Sequence, residues 1–387
     1  MSTHLSGGRL NVALLQETMK KELLNLIQQC EGTKVTIWDE WLAGPVGLIA
    51  QYALLQEHEV ANMFPLRPGI LPSISTKHII FITRPKLMLM DLVADYISSI
   101  RSKSISVEYH LFFVPRKSEL CEKHLANRGV LLNINIQEFH CDIFPFESDV
   151  MSLELQNDFR EYYLEGDPTC IYNVAQALKT IQQLYGVIPR VFGKGQAAKQ
   201  VWDLLCRLNK EDQGIGQKSM APSCIDQLLL LDRAIDFTTI MATQLTYEGL
   251  IDELFGIKTI TATFPGHKFA GEDAMPEVTT EVKRIILNSS DELFAELRDK
   301  CFTTIGSALS KKARIIKSQM DERHKEKSVK EIKQFVSRLP QLLANKQSLA
   351  THTAIAEYIK EGVTSNPPWV TPRLATPLVG SELEQDD

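Results

Sequence analysis

Apolar residues recur at helical spacing from the amino end. Val12, Leu15, Met19, Leu23, Leu26 and Ile27 mark one face of a helix from Leu10 to Cys30, and Gly32 stops it. The pattern then shortens to apolar runs. Lys34 to Asp39 (KVTIWD), His78 to Thr83 (HIIFIT), Val107 to Val114 and Asn133 to Phe139 predict strands, and Pro45 to His58, Leu87 to Ser102 and Ser118 to Asn127 predict the helices between them. Four apolar strands separated by helices imply right-handed crossovers and a parallel sheet.

A second α/β unit opens near Pro145, where FPFESDVMSLEL changes composition. Pro168 to Tyr185 and Gln196 to Leu208 read as helices and Val187 to Phe192 as a short strand. Ile225 to Leu231 is an almost unbroken aliphatic run, the pattern of a strand covered on both faces of a parallel sheet, and it ends at Asp232 and Arg233. Asp236 starts a new segment. Thr243, Leu245, Tyr247, Leu250, Ile251, Leu254 and Phe255 follow at mixed three-and-four spacing and predict a helix ending near Gly256.

From Val278 to Lys360 two long helical patterns face each other. Leu293, Leu297, Cys301, Ile305, Leu309, Ile316 and Met320 form the first apolar stripe; Val329, Ile332, Val336, Leu339, Leu343 and Ala350 form the second. They predict an antiparallel αα-hairpin, bent by Pro340, with its tip at Asp321 to Ser328. Lys311, Lys312, Arg314, Lys317, Arg323, Lys325, Lys327, Lys330 and Lys333 outweigh Asp321, Glu322, Glu326 and Glu331, so the protruding end is basic and suits an acidic partner or a lipid headgroup surface. Two readings stand side by side here: the stripes are simply the seam between the helices, or they offer a groove to helices of another protein.

Composition narrows the choices. With 387 residues, 44% hydrophobic and 23% charged, the chain is ordinary globular material for roughly two to three domains. A net charge of −6 argues against a dedicated nucleic-acid binder, which needs a surplus of Lys and Arg. The start lacks the apolar core of a signal peptide, and no run approaches the ~20 apolar residues of a membrane span, so a cytosolic protein is expected. Seven cysteines without a CxxC pair read as free thiols. Cys121 and His124 with His140 and Cys141 are the one arrangement that invites a zinc reading, but the second half lacks paired ligand spacing; no metal and no cofactor are expected. Gly193-Lys194-Gly195 is not a phosphate loop, because Gly186 lies seven residues before Gly193 and a Gly follows the Lys; a strand-to-helix turn is the expectation. No GxSxG, HExxH or GxGxxG motif is present, and the expectation is a non-enzyme.

Charges at the carboxyl edge of a buried strand more often fix a turn than meet a ligand. Asp232, Arg233 and Asp236 are therefore read as structural, and Arg233→Ala is expected to leave a partly buried acid unpaired at a cost of about 3 kcal/mol.

The strings DRAIDFTT (Asp232 to Thr239) and TQLTYEGLIDE (Thr243 to Glu253) combine an acid–base pair, a second acid three residues on and a long polar core. They resemble the signature of the Sec/Munc (SM) proteins, cytosolic partners of SNARE helices in membrane fusion, and the resemblance runs from Met1 to about Glu361. It implies parallel-sheet α/β domains followed by a long helical hairpin: a first domain over 1–143, the first part of a second over 144–240 and a hairpin part of a third over 241–361. It also implies that the hairpin holds SNARE helices in register, which makes Leu293, Leu297, Ile305, Leu309, Ile316, Met320, Val329, Ile332 and Val336 the candidate SNARE-contacting residues, with the free face undecided. The family branch it resembles joins the endosomal and lysosomal tethering assemblies HOPS and CORVET, peripheral on late endosome, lysosome and autophagosome membranes. Residues 362–387 depart from the family: with four prolines in EGVTSNPPWVTPRLATPLVGSELEQDD and no periodicity, this tail is expected to be disordered. The expectation is thus a form truncated before the rest of the fold. Its strand at Ile225 to Leu231 would lack a covering neighbour, and its binding to the tether scaffold subunit is in doubt. An unrecognised α/β enzyme and an inert, rapidly degraded product are the alternative readings.

Overall fold

The computed structural model describes residues 10–69, 76–101, 107–214, 223–269, 282–321 and 329–365. The chain divides into two units, Met1–Ile235 and Asp236–Asp387. In the first, the predicted alternation builds α1 (Val12–Gln28), β1 (Lys34–Trp38), α2 (Glu40–Gly47), α3 (Tyr52–Glu57), β2 (Val60–Pro65), β3 (His78–Thr83), α4 (Leu87–Arg101), β4 (Glu108–Phe113), α5 (Glu119–Asn127) and β5 (Ile134–Glu138). The five strands are parallel in the order β2-β1-β3-β4-β5. Leu15, Met19, Leu23 and Ile27 of α1 pack with Ile80, Ile82 and Phe112. Met90, Val93, Ile97, Cys121 and Leu125 pack with the alternate side chains Ile79, Phe81, Leu111 and Phe113. Each such side chain, removed from water, contributes about 1.5–3 kcal/mol, which is why the central strand β3 is buried along its whole length.

Two expectations are corrected. The helix read as Pro45 to His58 is two short helices. Asp39 accepts a hydrogen bond from the Trp41 amide and so starts α2 at Glu40, while Ile49 and Ala50 turn into the core and end it. The sheet also has a fifth strand, β2, whose sequence VANMFP lacks a clean period because it lies at the sheet edge with Ala61 and Asn62 exposed.

Where a second unit was expected to open, Phe144–Pro145 and Met151–Ser152 form a small antiparallel pair. Then come α6 (Thr169–Tyr185), β6 (Arg190–Lys194), α7 (Gln196–Gly214) and β7 (Gln227–Leu231), with β6 and β7 paired in parallel. The Tyr185 hydroxyl donates to the Asn11 carbonyl at 2.8 Å, fastening α6 to the first sheet's layer. The reading of Ile225 to Leu231 as covered on both faces is also corrected. Leu230 lies among Val174, Ala198 and Val201, but Leu229 and Leu231 on alternate positions are 61% and 65% exposed, because α6 and α7 cover one face only.

The second unit contains α8 (Tyr247–Phe255), an antiparallel sheet of β8 (Ile257–Lys258), β9 (Thr261–Pro265) and β10 (Val282–Ile286), then α9 (Glu292–Leu297), α10 (Phe302–Asp321) and α11 (Val329–Ser365). Its core joins Tyr247, Ile251, Phe264, Phe294, Leu297, Ile305, Leu309, Ile355 and Ile359. The stripe read as one rod from Leu293 to Met320 is broken at Arg298 to Cys301. There the Tyr247 and Glu248 amides donate to the Lys300 and Arg298 carbonyls at 3.0 and 3.1 Å, and Phe302 N–H donates back to Leu245. Helix α11 continues through Pro340 and extends past Glu361 to Ser365. Residues 322–328 of the predicted tip and 366–387 of the tail lie outside the described residues. No described helix is long and apolar enough to cross a membrane.

Candidate functional site: the base and groove of the helical hairpin

The string TQLTYEG folds as the start of α8. Thr246 is its N-cap, its hydroxyl accepting from the Gly249 amide at 3.2 Å. Position 249 must be glycine for a steric reason: a Cβ there would lie 2.4 Å from the Gln244 Cβ and 2.8 Å from the Thr246 hydroxyl. Glu248 takes a bidentate ion pair from Arg298, at 2.8 and 3.0 Å, and the Arg298 guanidinium also lies over the Phe294 ring. Tyr247 is fully buried, and burial together with the nearby Asp291 charge raises its phenol well above the ordinary tyrosine range.

Tyr247 opens a polar chain that crosses the second unit's core. Its hydroxyl meets His352 Nδ1 at 2.9 Å, His352 Nε2 meets Asp291 Oδ2 at 3.1 Å, and Ser348 Oγ donates to both Asp291 oxygens at 2.8 and 2.7 Å. An Nε2–H tautomer of His352 satisfies both of its neighbours. Asp291 is also the N-cap of α9, accepting from the Leu293 and Phe294 amides. Burial alone would raise its carboxyl. The hydrogen bonds from His352, Ser348 and the Phe294 amide outweigh that effect and hold it far below the usual carboxylate range. A serine, a histidine and an aspartate are thus gathered, but the serine hydroxyl is directed at the carboxylate rather than at the imidazole, so this is not the nucleophile-to-base relay of a hydrolase. The set ties α8, α9 and α11 together at the root of the hairpin.

Above that root α10 and α11 run antiparallel, and between them lies an apolar groove of about 470 Å³. Phe302, Ile305, Gly306, Leu309 and Ala313 form one wall, and Leu349, Thr353, Ala356 and Lys360 form the other. Small residues at Gly306, Ser310, Ala313 and Ala356 keep it open, and a Cβ added at Gly306 would meet no atom within 4 Å.

Leu293, Leu297, Ile305, Leu309 and Ile316 are buried; Met320 is half-buried. Ile305 and Leu309 nonetheless reach the groove floor. The second stripe is a correction: Val336 and Leu343 are 57% and 52% exposed and Ala350 is also exposed, while Leu342, Leu349, Ile355 and Ile359 turn inward. Leu339 is intermediate. Val329 and Ile332 lie in α11, with side chains outside the described residues. Sequence reasoning missed Gly306, Ala313, Leu349 and Ala356, whose signal was the seven-residue repeat of small and apolar residues in both helices.

The other motif, Asp232 to Asp236, sits apart from the groove in sequence and straddles the boundary between the units. Asp232 is buried and accepts from the Tyr163 hydroxyl and from the Ala197 and Ala234 amides, each amide at 2.9 Å. Burial pushes the carboxyl up, but bonds from Tyr163, Ala234, Ala197 and Gln196 outweigh it and hold it below its ordinary value. Burial and the same carboxylate push the Tyr163 phenol up to about 12. Arg233 is exposed. Gly193 to Gly195 is the strand-to-helix turn into α7, and the anion at that helix start is Asp232 of the chain itself. Asp236 accepts from Thr239 N–H at 3.0 Å and turns the chain into a short helix over Thr238–Met241.

At the carboxyl edge of the first sheet, where α/β enzymes open a ligand crevice between β1 and β3, Arg84 and Asp39 form a bidentate pair at 2.5 and 3.1 Å beneath Trp41. The space left there is about 60 Å³. The residues weighed for zinc disperse: His124 meets Asp91 at 2.8 Å, His140 meets Glu22 at 2.8 Å, and the buried Cys141 thiol faces the Met19 thioether.

The model of the Sec1 family matches residues 34–369. The rat vacuolar protein sorting-associated protein 33A is 48% identical over 370 residues, covering 94% of this chain and 62% of the relative. Among solved structures, the SM protein Vps45 in complex with the Qa SNARE Tlg2 matches with a TM-score of 0.60 at 18% identity, over 90% of this chain and 61% of that one. The Unc18–syntaxin 1 complex from Monosiga brevicollis matches with a TM-score of 0.61 at 17% identity, over 91% and 63%. The chain therefore spans about three fifths of the length of the proteins it matches.

Proposed function

Because this chain belongs to the Sec1 family, we propose that it is a SNARE-binding factor of vesicle fusion at late endosomes, lysosomes and autophagosomes. It acts by shape, holding SNARE helices side by side along the α10/α11 hairpin and so lowering the entropic cost of nucleating a four-helix coil. The observation that carries this reading is the open apolar groove between the two rods, floored by Ile305 and Leu309 and lined by small residues. Such a groove accepts the i, i+3, i+4 and i+7 anchors of an amphipathic helix. Val336 and Leu343 extend an apolar face along the outside of α11, and Lys311, Arg314, Lys317 and Lys333 give exposed positive charge near the distal end. The name of the rat relative supports a vacuolar protein-sorting setting, and the solved Vps45 complex supports a SNARE as the class of ligand.

We read the protein as a binding module without catalytic turnover. The filled crevice at the first sheet's carboxyl edge and the direction of the Ser348 hydroxyl both favour that reading. The scaffold subunit of an endosomal tethering complex is its proposed second partner, with membrane association indirect through that complex. Hydrogen exchange of the full chain with and without an isolated SNARE helix tests the proposal. Slowed exchange over 302–313 and 349–360 is expected; unchanged exchange there, with saturable binding measured in parallel, would place the ligand elsewhere.

A further inference from the structure

Three side chains at the amino end of the first sheet converge without a role in the fold's apolar packing or in the hairpin. His78 opens β3, and Glu108 and His110 lie on β4, with Glu108 in register with His78. One ligand atom from each of the three lies within 4.8 Å of the others. His78 Nδ1 is 3.4 Å from His110 Nε2 and 3.5 Å from Glu108 Oε2.

Those two spacings bear on two explanations. A hydrogen bond between ring nitrogens, or from a ring N–H to a carboxylate, closes to about 2.7–3.2 Å when it is free to do so. Donors around a tetrahedral zinc ion, each about 2.0–2.1 Å from the metal, stand roughly 3.3–3.4 Å from one another. The two contacts, 3.4 and 3.5 Å, lie close to the second figure and beyond the first, and the third pair of ligand atoms lies within 4.8 Å. The donor set also suits the ion, since two imidazoles and one carboxylate are a common three-ligand zinc set that leaves the fourth position for water.

Burial is arranged accordingly. His78 and His110 are 4% and 8% exposed, which fixes the rings, while Glu108 is 56% exposed and opens the group to solvent. The second nitrogen of His78, Nε2, is buried without a hydrogen-bond partner, so the ring's Nδ1 side carries its polar contacts. The nearest buried cation is accounted for elsewhere: Lys34 Nζ donates to the Ile27 and His58 carbonyls at 3.3 and 3.1 Å. The outer oxygen of Glu108 lies 3.7 Å from Lys77 Nζ, leaving Oε2 for the cluster.

We propose that His78, His110 and Glu108 form a binding site for one divalent cation of the zinc class, which clamps β3 to β4 at the sheet's amino edge. The site lies at the opposite end of the strands from the crevice under Trp41.

The full chain, stripped of metal with a chelator and dialysed, would be titrated with Co²⁺ and followed by absorbance, then competed with Zn²⁺ and followed by thermal unfolding. The proposal expects one tetrahedral Co²⁺ band saturating at one equivalent, its displacement by Zn²⁺ and a raised unfolding midpoint with Zn²⁺. It also expects at least a tenfold loss of affinity in both His110→Gln and Glu108→Gln. Glu108→Gln changes an exposed side chain, so it reports on the site even where His110→Gln lowers stability on its own. Absence of the band in the wild-type chain, or binding unaltered by Glu108→Gln and His110→Gln, would overturn the site and leave the histidines as a packed pair.

Discussion

Gly195 stands between the end of β6 and the start of α7 with φ +101°, and a Cβ there would fall 2.2 Å from the Asp232 Cβ. Both the backbone and the space therefore exclude a side chain. Gly195→Ala is expected to lower the unfolding free energy by about 3 kcal/mol or more, combining backbone strain with overpacking against a buried carboxylate. Arg233→Ala, at an exposed position, is expected to cost about 1 kcal/mol or less. Chemical denaturation of the two variants checks the ranking, and equal losses would show that Arg233 matters to the turn as much as Gly195 does. Asp291 gives a pH-dependent counterpart. Its folded carboxyl lies below the unfolded value of about 3.9, so its hydrogen bonds contribute fully at neutral pH and fade as the pH falls below that value toward the depressed one. Asp291→Asn should be less stable than wild type at pH 7 and should lose less on acidification to pH 3. Parallel stability profiles for the two would show that the carboxylate is not carrying the network. Asp232 was legible as a turn residue because it follows an apolar run. Its partner Tyr163 was not, since 69 residues separate the two and no local pattern links them.

At the scale of elements, strands β1, β3 and β4 could be read from sequence because nearly every position in them is buried, and edge strand β5 because Ile134 and Ile136 alternate with polar residues. Edge strand β2 and the antiparallel sheet of the second unit were not legible, because their periods are short and half exposed. The hairpin shows a subtler limit. Val336, Leu343 and Ala350 repeat every seven residues, and so do Leu342, Leu349 and Ala356 one position earlier in the repeat. Either row could serve as the seam by period alone; the structure turns the second row inward, and the packing of Ile355 and Ile359 against Tyr247 and Leu297 selects that phase. Val336→Ser with Leu343→Ser is therefore expected to change the unfolding midpoint little, because both side chains are mostly solvated. A loss of about 2 kcal/mol or more would mean that this row faces a seam after all.

At the scale of the whole molecule, the family signature proves to be a structural root. Thr246, Tyr247, Glu248 and Gly249 start α8 and, through His352, Asp291 and Arg298, fix the base from which the two rods rise. On the proposed reading, the motif orients the groove and need not touch the ligand. The groove itself offers the most direct test. Gly306→Leu adds a good helix former where an added Cβ meets no atom within 4 Å, so it should raise helix stability by about 0.5–1 kcal/mol while its side chain extends into the cleft. Fluorescence anisotropy of a labelled SNARE helix, titrated with wild-type chain and with Gly306→Leu, is the deciding measurement. Saturable binding to the wild type, with at least tenfold weaker binding to an equally or more stable variant, is the predicted result; identical affinity for both would contradict the groove as the place where fusion helices are held.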